Sequence, residues 1–242
     1  MALLSVNLDQ VAALREIRKL REPDPAQAAV LAELAGADGI AIQLRRDRKY
    51  VRDRDLYILR EVVKTKLTIE IPPTEDIVNR VLEVKPAMVT FVADHADSNV
   101  PVAGIDFNDA SVDFSGATAR LKGVGIAVCF FIDPNPDTIR GVHKAGADAV
   151  LINCGGFSYA RTLVEAQQEL DRIDATVQAA SKAGMNVCAG RGIDRKNVVA
   201  LYELNLIDEF FIGHSIVSRA VLKGMTEAVA EVLAVLNTPP QA

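Results

Sequence analysis

Eight short apolar runs, each too brief for a helix, recur along the chain between longer amphipathic stretches. They fall at 3–8, 39–44, 67–71, 88–93, 126–132, 149–154, 186–189 and 210–213, and they are rich in Val, Ile and Phe. A strand that is apolar along its whole length needs cover on both faces, which a parallel sheet obtains from its crossover helices or from closure on itself. Eight strand-then-helix units predict an α/β fold, a (β/α)8 TIM-type barrel with additional helices. Long helical stretches at 160–183 and 215–236 leave room for one helix beyond the eight repeats. The segments Ala35-Gly36-Ala37-Asp38 and Ala145-Gly146-Ala147-Asp148 each precede a strand. Their glycines suit left-handed helix ends, a conformation that costs glycine no Cβ clash. An open doubly wound sheet is the rival. No G-x-G-x-x-G follows the first strand and no G-x-x-x-x-G-K occurs, so the barrel is preferred. No Pro/Gly/Ser-rich linker divides the 242 residues, and residues 1–242 read as one domain.

Composition narrows the partners. Lys and Arg number 27 against 32 Asp and Glu, a net charge of −5, which gives no global attraction to nucleic acid or an anionic membrane. Any anion site must be local. No apolar stretch reaches the roughly 18 residues of a membrane span. The first residues lack a basic leader and read as a strand. Cys129, Cys154 and Cys188 are an odd, widely spaced set without C-x-x-C, which fits a reducing, cytoplasmic setting better than disulfides or a zinc cage.

In such a barrel the ends of the strands and the loops after them line the active-site mouth. Those exits supply Asn7 and Asp9, Gln43 and Arg45, Glu70, Gly190-Arg191-Gly192 and Gly213-His214-Ser215. The last two loops occupy the usual barrel phosphate position, where glycine lets backbone N–H groups approach an anion; plain tight turns account for them equally well. The run from Arg45 to Arg54 reads mainly as a solvated loop with ion pairs to Asp47, Asp53 and Asp55, Arg45 excepted because it follows the strand directly. Glu70 ends an apolar strand, either as a base or as one half of a bridge to Arg45 or Arg191. His95 and His143 read as surface residues, leaving His214 alone at a strand exit. Cys154 reads as a small buried hydrophobe. No H-E-x-x-H or comparable cluster points to a metal.

These residues carry a resemblance. Val6-Asn7-Leu8-Asp9 with Leu14-Arg15, Pro23-Asp24-Pro25-Ala26-Gln27-Ala28-Ala29, Ala35-Gly36-Ala37-Asp38-Gly39-Ile40 and Asp53-Arg54-Asp55 with Ile58-Leu59-Arg60 open it. Phe131-Ile132-Asp133, Ala189-Gly190 and Ile212-Gly213-His214-Ser215-Ile216 with Arg219-Ala220-Val221 complete it. Across essentially its whole length the chain resembles the pyridoxine 5′-phosphate synthases. The resemblance implies a barrel assembled as a homo-octamer. It also implies a cofactor-free, metal-free condensation of 1-deoxyxylulose 5-phosphate with 3-amino-2-oxopropyl phosphate, with proton transfers carried by histidines and glutamates.

Residue by residue, Asn7, Asp9, Arg18, Arg45, Gly192, Gly213 and His214 match ligand-binding positions, and Glu70 matches a catalytic one. Gln10, Gln43 and Arg191 stand where the resemblance implies histidine, Leu151 where it implies glutamate and Val100 where it implies threonine. Neither glutamine nor arginine shuttles protons near neutrality. The resulting expectation is a divergent member whose cavity binds a phosphorylated carbonyl or aminoketone, with ring closure weakened, lost or redirected; Arg191 would then be a fixed cation. A genuine synthase with rearranged proton donors and a non-catalytic phosphometabolite sensor are the alternatives.

Overall fold

The computed structural model describes residues 2–93 and 103–238, so His95 and Val100 lie outside the described residues. Eight strands, β1 (Leu3–Asn7), β2 (Gly39–Gln43), β3 (Lys66–Ile71), β4 (Met88–Phe91), β5 (Ala127–Ile132), β6 (Ala149–Asn153), β7 (Asn186–Gly190) and β8 (Glu209–Ile212), pair in parallel in chain order. The ladder closes where β8 pairs with β1 through Leu3 to Val6 against Glu209 to Ile212. The expected barrel is therefore observed, with strand ends displaced by one or two residues. Leu8, Leu44 and Cys154, assigned to strands from their apolarity, lie just beyond them while remaining fully buried. Burial outlasts the ladder at these exits.

Alternation along each strand divides the core in two. Val6, Ile42, Ile69, Phe91, Phe130, Ile152, Val187 and Ile212 face outward into the layer between barrel and helices. Ala41, Met88, Cys129, Phe131, Ala149, Leu151, Cys188 and Phe211 fill the interior. Glu209 also points inward, at the end where the strands begin, and is 4% exposed. Its carboxylate accepts the Ser5 hydroxyl at 2.6 Å and pairs with the Lys66 ammonium. A buried charge is tolerated when paired and hydrogen-bonded in this way.

The repeated Ala-Gly-Ala-Asp segments have two structural jobs. Gly36 and Gly146 adopt φ of 104° and 80°, the left-handed helix ends expected of them. The aspartates clip the preceding strand. Asp38 donates its backbone N–H to Leu4 O at 2.9 Å while its carboxylate accepts the Leu4 N–H at 2.9 Å. Asp148 does the same with Val128, and Asp208, outside the repeat, with Val187. Each clip satisfies strand-end groups that closure alone leaves open.

The 160–183 stretch forms the helix Leu163–Lys182, begun by a capping box between Thr162 and Glu165. The 215–236 stretch is two helices, His214–Lys223 and Met225–Leu236, because Gly224 turns the chain at φ 87°. Among the described residues no helix is long and apolar enough to cross a membrane.

Arg15, on the helix Asp9–Arg18, is 1% exposed and grips Asp55 of the helix Asp53–Val62 through two bonds of 2.8 and 2.7 Å. Asp55 also accepts the Arg52 N–H at 2.9 Å, so it serves helix packing and the helix start rather than the basic loop, to which the sequence reading assigned it. Removing one half of a buried pair strands the other. Asp55→Ala is expected to lower the unfolding free energy by about 3 to 5 kcal/mol, measured by denaturant titration.

Candidate active site

The exits of β1, β3, β7 and β8 enclose a cavity of about 550 Å³. It is lined by ten of the sequence-selected residues: Asn7, Asp9, Gln10, Glu70, Gly190, Arg191, Gly192, Gly213, His214 and Ser215. Leu151 forms part of the wall. Three selected residues lie elsewhere. Arg18 is exposed at the far end of its helix, because the helix carries it away from the barrel mouth. Arg45 folds back onto Asp47 in two bonds of 2.9 and 2.8 Å and lies off the cavity wall. Gln43 contributes its backbone N–H, which donates to Asp9 Oδ1 at 2.6 Å.

Asp9 organises the β1 exit. Besides the Gln43 N–H it accepts the Asn7 amide at 2.9 Å, and its own N–H donates to Asn7 Oδ1 at 3.0 Å. Asn7 in turn explains Gly213: a methyl group there would stand 3.0 Å from the Cβ, O and Oδ1 of Asn7. The first two strand exits and the β8 exit are thus locked around one carboxylate.

Glu70 is 7% exposed. Burial, reinforced by the neighbouring Asp9 charge, pushes its carboxyl up to about 7, against the opposing pull of Arg191 and of the Asn7 amide. Burial also raises Asp9, opposed by the Gln43 N–H, the Asn7 amide and the charges of Arg191 and Arg45. Arg45 therefore influences the site through its field. Neither arginine makes a salt bridge to Glu70 among the described residues, so the bridge reading of Glu70 is not realised as a contact. What remains is a buried acid that changes charge near neutrality, as acid–base catalysis requires.

Arg191 and Gly192 follow β7 with φ of 75° and 68°. The Arg191 guanidinium lies 5.2 Å from the Phe131 ring centroid, and its Nη2 is buried without a partner among the described residues. The Ser158 hydroxyl donates to Arg191 O at 3.2 Å, and Asn197 Nδ2 donates to Gly192 O at 3.0 Å. A methyl group on Gly192 would come within 2.6 Å of Ser158 Cβ, so close approach as well as backbone angle demands glycine here. At the rim, the helix His214–Lys223 presents the N–H groups of its first turn, which have no acceptor within the helix. His214 is exposed, 3.3 Å from the Ser218 hydroxyl.

Ser158, Asp194 and Asn197 also line the cavity and escaped sequence reading. Asp194-x-x-Asn197, whose side chains accept each other's backbone N–H at 2.8 and 2.9 Å, has helix-cap spacing and was the available signal. Ser158 offered none. His143 is exposed, as expected, and burial pushes the Cys154 thiol up to about 12, in keeping with a structural hydrophobe.

Fold and cavity together define a (β/α)8 barrel with a buried glutamate beside a half-buried aspartate, a cation and a helix start at the carboxyl ends of its strands. Residues 4–238 match the family model of the pyridoxal phosphate biosynthesis protein PdxJ, and the chain belongs to that family. It is 43% identical over 233 residues to the pyridoxine 5′-phosphate synthase of Geobacter metallireducens, covering 96% of this chain and 98% of that one. Its identity to the synthase of Geobacter sulfurreducens is 42% with the same coverage. A solved structure of the N-acetylmannosamine-6-phosphate 2-epimerase from Clostridium perfringens shares the fold alone, at a TM-score of 0.59 and 15% identity, covering 93% of this chain and 92% of that one. The named relatives support the family reaction rather than its loss, so the expectation of a redirected activity gains nothing from them.

The raised Glu70 carboxyl has a measurable consequence. Between about pH 4.5 and 7 the folded chain holds a proton that the unfolded chain releases, so stability falls as pH rises through that window. Glu70→Gln removes this loss. The variant should match the parent near pH ~4 and exceed it by about 2 to 3 kcal/mol near pH ~8, by denaturant titration at both pH values.

Proposed function

We propose that the barrel catalyses a pyridoxine 5′-phosphate synthase condensation, joining a phosphorylated ketose to a phosphorylated aminoketone. The observation that carries this reading is Glu70, buried beside Asp9 at the floor of a cavity whose rim offers backbone N–H groups, in a chain 43% identical to named synthases. Glu70 takes and returns protons as the imine forms and water is lost. The first-turn amides at His214 and Ser215, with the glycine-relaxed loop at Gly192, receive a substrate phosphate. Arg191 stabilises anionic charge developing above Phe131.

A second reading, a redirected reaction, is favoured by one observation. Gln10 and Arg191 line the cavity where the resemblance implies histidine, and His214 is the one histidine on its wall among the described residues. With fewer proton carriers, ring closure should run about 10² or more below the rate of a histidine-bearing member.

Copies of the chain would associate through the exposed apolar side chains of the first two helices, among them Ile17 at 73% and Leu34 at 76% exposure. A reducing cytoplasm suits the three buried free thiols.

Product formation from 1-deoxyxylulose 5-phosphate and 3-amino-2-oxopropyl phosphate, followed spectroscopically, tests the proposal. Slow but measurable synthesis is expected, with kcat/KM rising through about pH 7 as Glu70 loses its proton, and a further loss of about 10² to 10⁴ in Glu70→Gln. No synthesis, with calorimetric binding of phosphorylated ligands retained, would exclude the family reaction and leave a redirected reaction or a non-catalytic binding role.

A further inference from the structure

Among the described residues, two polar atoms on the cavity wall are buried without a partner, Arg191 Nη2 and Gln10 Oε1. One only donates and the other only accepts. The arginine is not a surface side chain that has strayed inward. Its backbone is held through the Ser158 bond to its carbonyl, and its guanidinium rests over Phe131. It is also the one Lys or Arg on the wall among the described residues, and its charge acts on the carboxyls of Asp9 and Glu70. A donor kept dry, stacked and unpaired is complete only when a ligand supplies the acceptor.

We infer that, on the redirected reading, the amino-bearing ligand of this cavity carries a carboxylate in addition to its phosphate, making it a phosphorylated amino acid or a close relative in place of the aminoketone of the family reaction. Arg191 receives the carboxylate, for which a guanidinium edge is the matching fork. A carboxylate fits this place better than a second phosphate, because a dianion set among Asp9, Glu70 and Asp194 meets more repulsion than a monoanion does. Gln10 Oε1 accepts an N–H of the substrate amine, whose positive charge is welcome beside the same acids. The phosphate lies at the start of the helix His214–Lys223. The inference rests on the reading of the cavity as a phosphorylated-substrate site, and it names the class of molecule that this chain, with arginine at position 191, selects.

A matched pair of probes isolates the carboxylate: O-phosphoserine and O-phosphoethanolamine share phosphate and amine and differ in that one group. Titration calorimetry of the full chain should show O-phosphoserine binding about tenfold or more tightly than O-phosphoethanolamine. In Arg191→Gln the preference should fall to near parity, both probes losing affinity with the cation but O-phosphoserine losing about tenfold more, and a circular dichroism spectrum matching the parent's shows that the variant is folded. Gln10→Leu should weaken both probes together. Equal binding of the two by the parent chain, or a preference that survives Arg191→Gln, overturns the inference and leaves the phosphate site standing. If neither probe nor inorganic phosphate binds, the phosphate reading falls and the inference falls with it. Should Arg191→Gln fail to fold, the ratio of the two probes in the parent chain decides.

Discussion

Closing eight strands on themselves forces their inward side chains into one narrow space, and every polar group placed there must find its partner among the few others that share it. The barrel contains two inward glutamates, and they meet this constraint differently. Glu209, at the end where the strands begin, has a hydroxyl and an ammonium in contact. Glu70, at the opposite end, has an acidic neighbour and a cation acting only through its field. The first is a neutralised structural group. The second is held in an environment that favours its proton, and only its position beside an open cavity makes that useful.

The same constraint explains which parts of the fold could be read from the chain. Strands buried on both faces leave an apolar signature, so all eight were visible, and the glycines of the two Ala-Gly-Ala-Asp segments showed where helices end. The aspartates of those segments were seen only as part of a repeat. Their clips join residues more than 30 positions apart in one case, and the pairing of an N–H with a distant carboxylate leaves no local pattern. Gly224 was passed over for the opposite reason: apolar periodicity continues on both sides of it, while a single φ of 87° breaks the helix.

At the site, strand-exit reasoning located Asn7, Asp9, Glu70, Arg191, Gly192, Gly213 and His214, because a barrel fixes where exits converge. Arg45, also at a strand exit, and Arg18, to which only the resemblance points, lie off the cavity wall. Adjacency in sequence said nothing of the turn that sends Arg45 to Asp47, or of the helix that carries Arg18 outward. Asn197 and Ser158 were missed because they act by fixing the backbone of the β7 loop, and that work is invisible until the loop has a shape.

The left-handed backbone at Arg191 bears on how this cavity could diverge among related chains. A residue at φ 75° pays a steric penalty that grows when the side chain branches at Cβ, so valine, isoleucine and threonine are poor occupants whatever their chemistry. Variation at this position is thereby channelled toward unbranched stems and small polar residues. The loop acts as a filter on the mutations available to the lineage: it preserves the direction in which the side chain leaves the backbone and lets selection change mainly the chemical group at its tip.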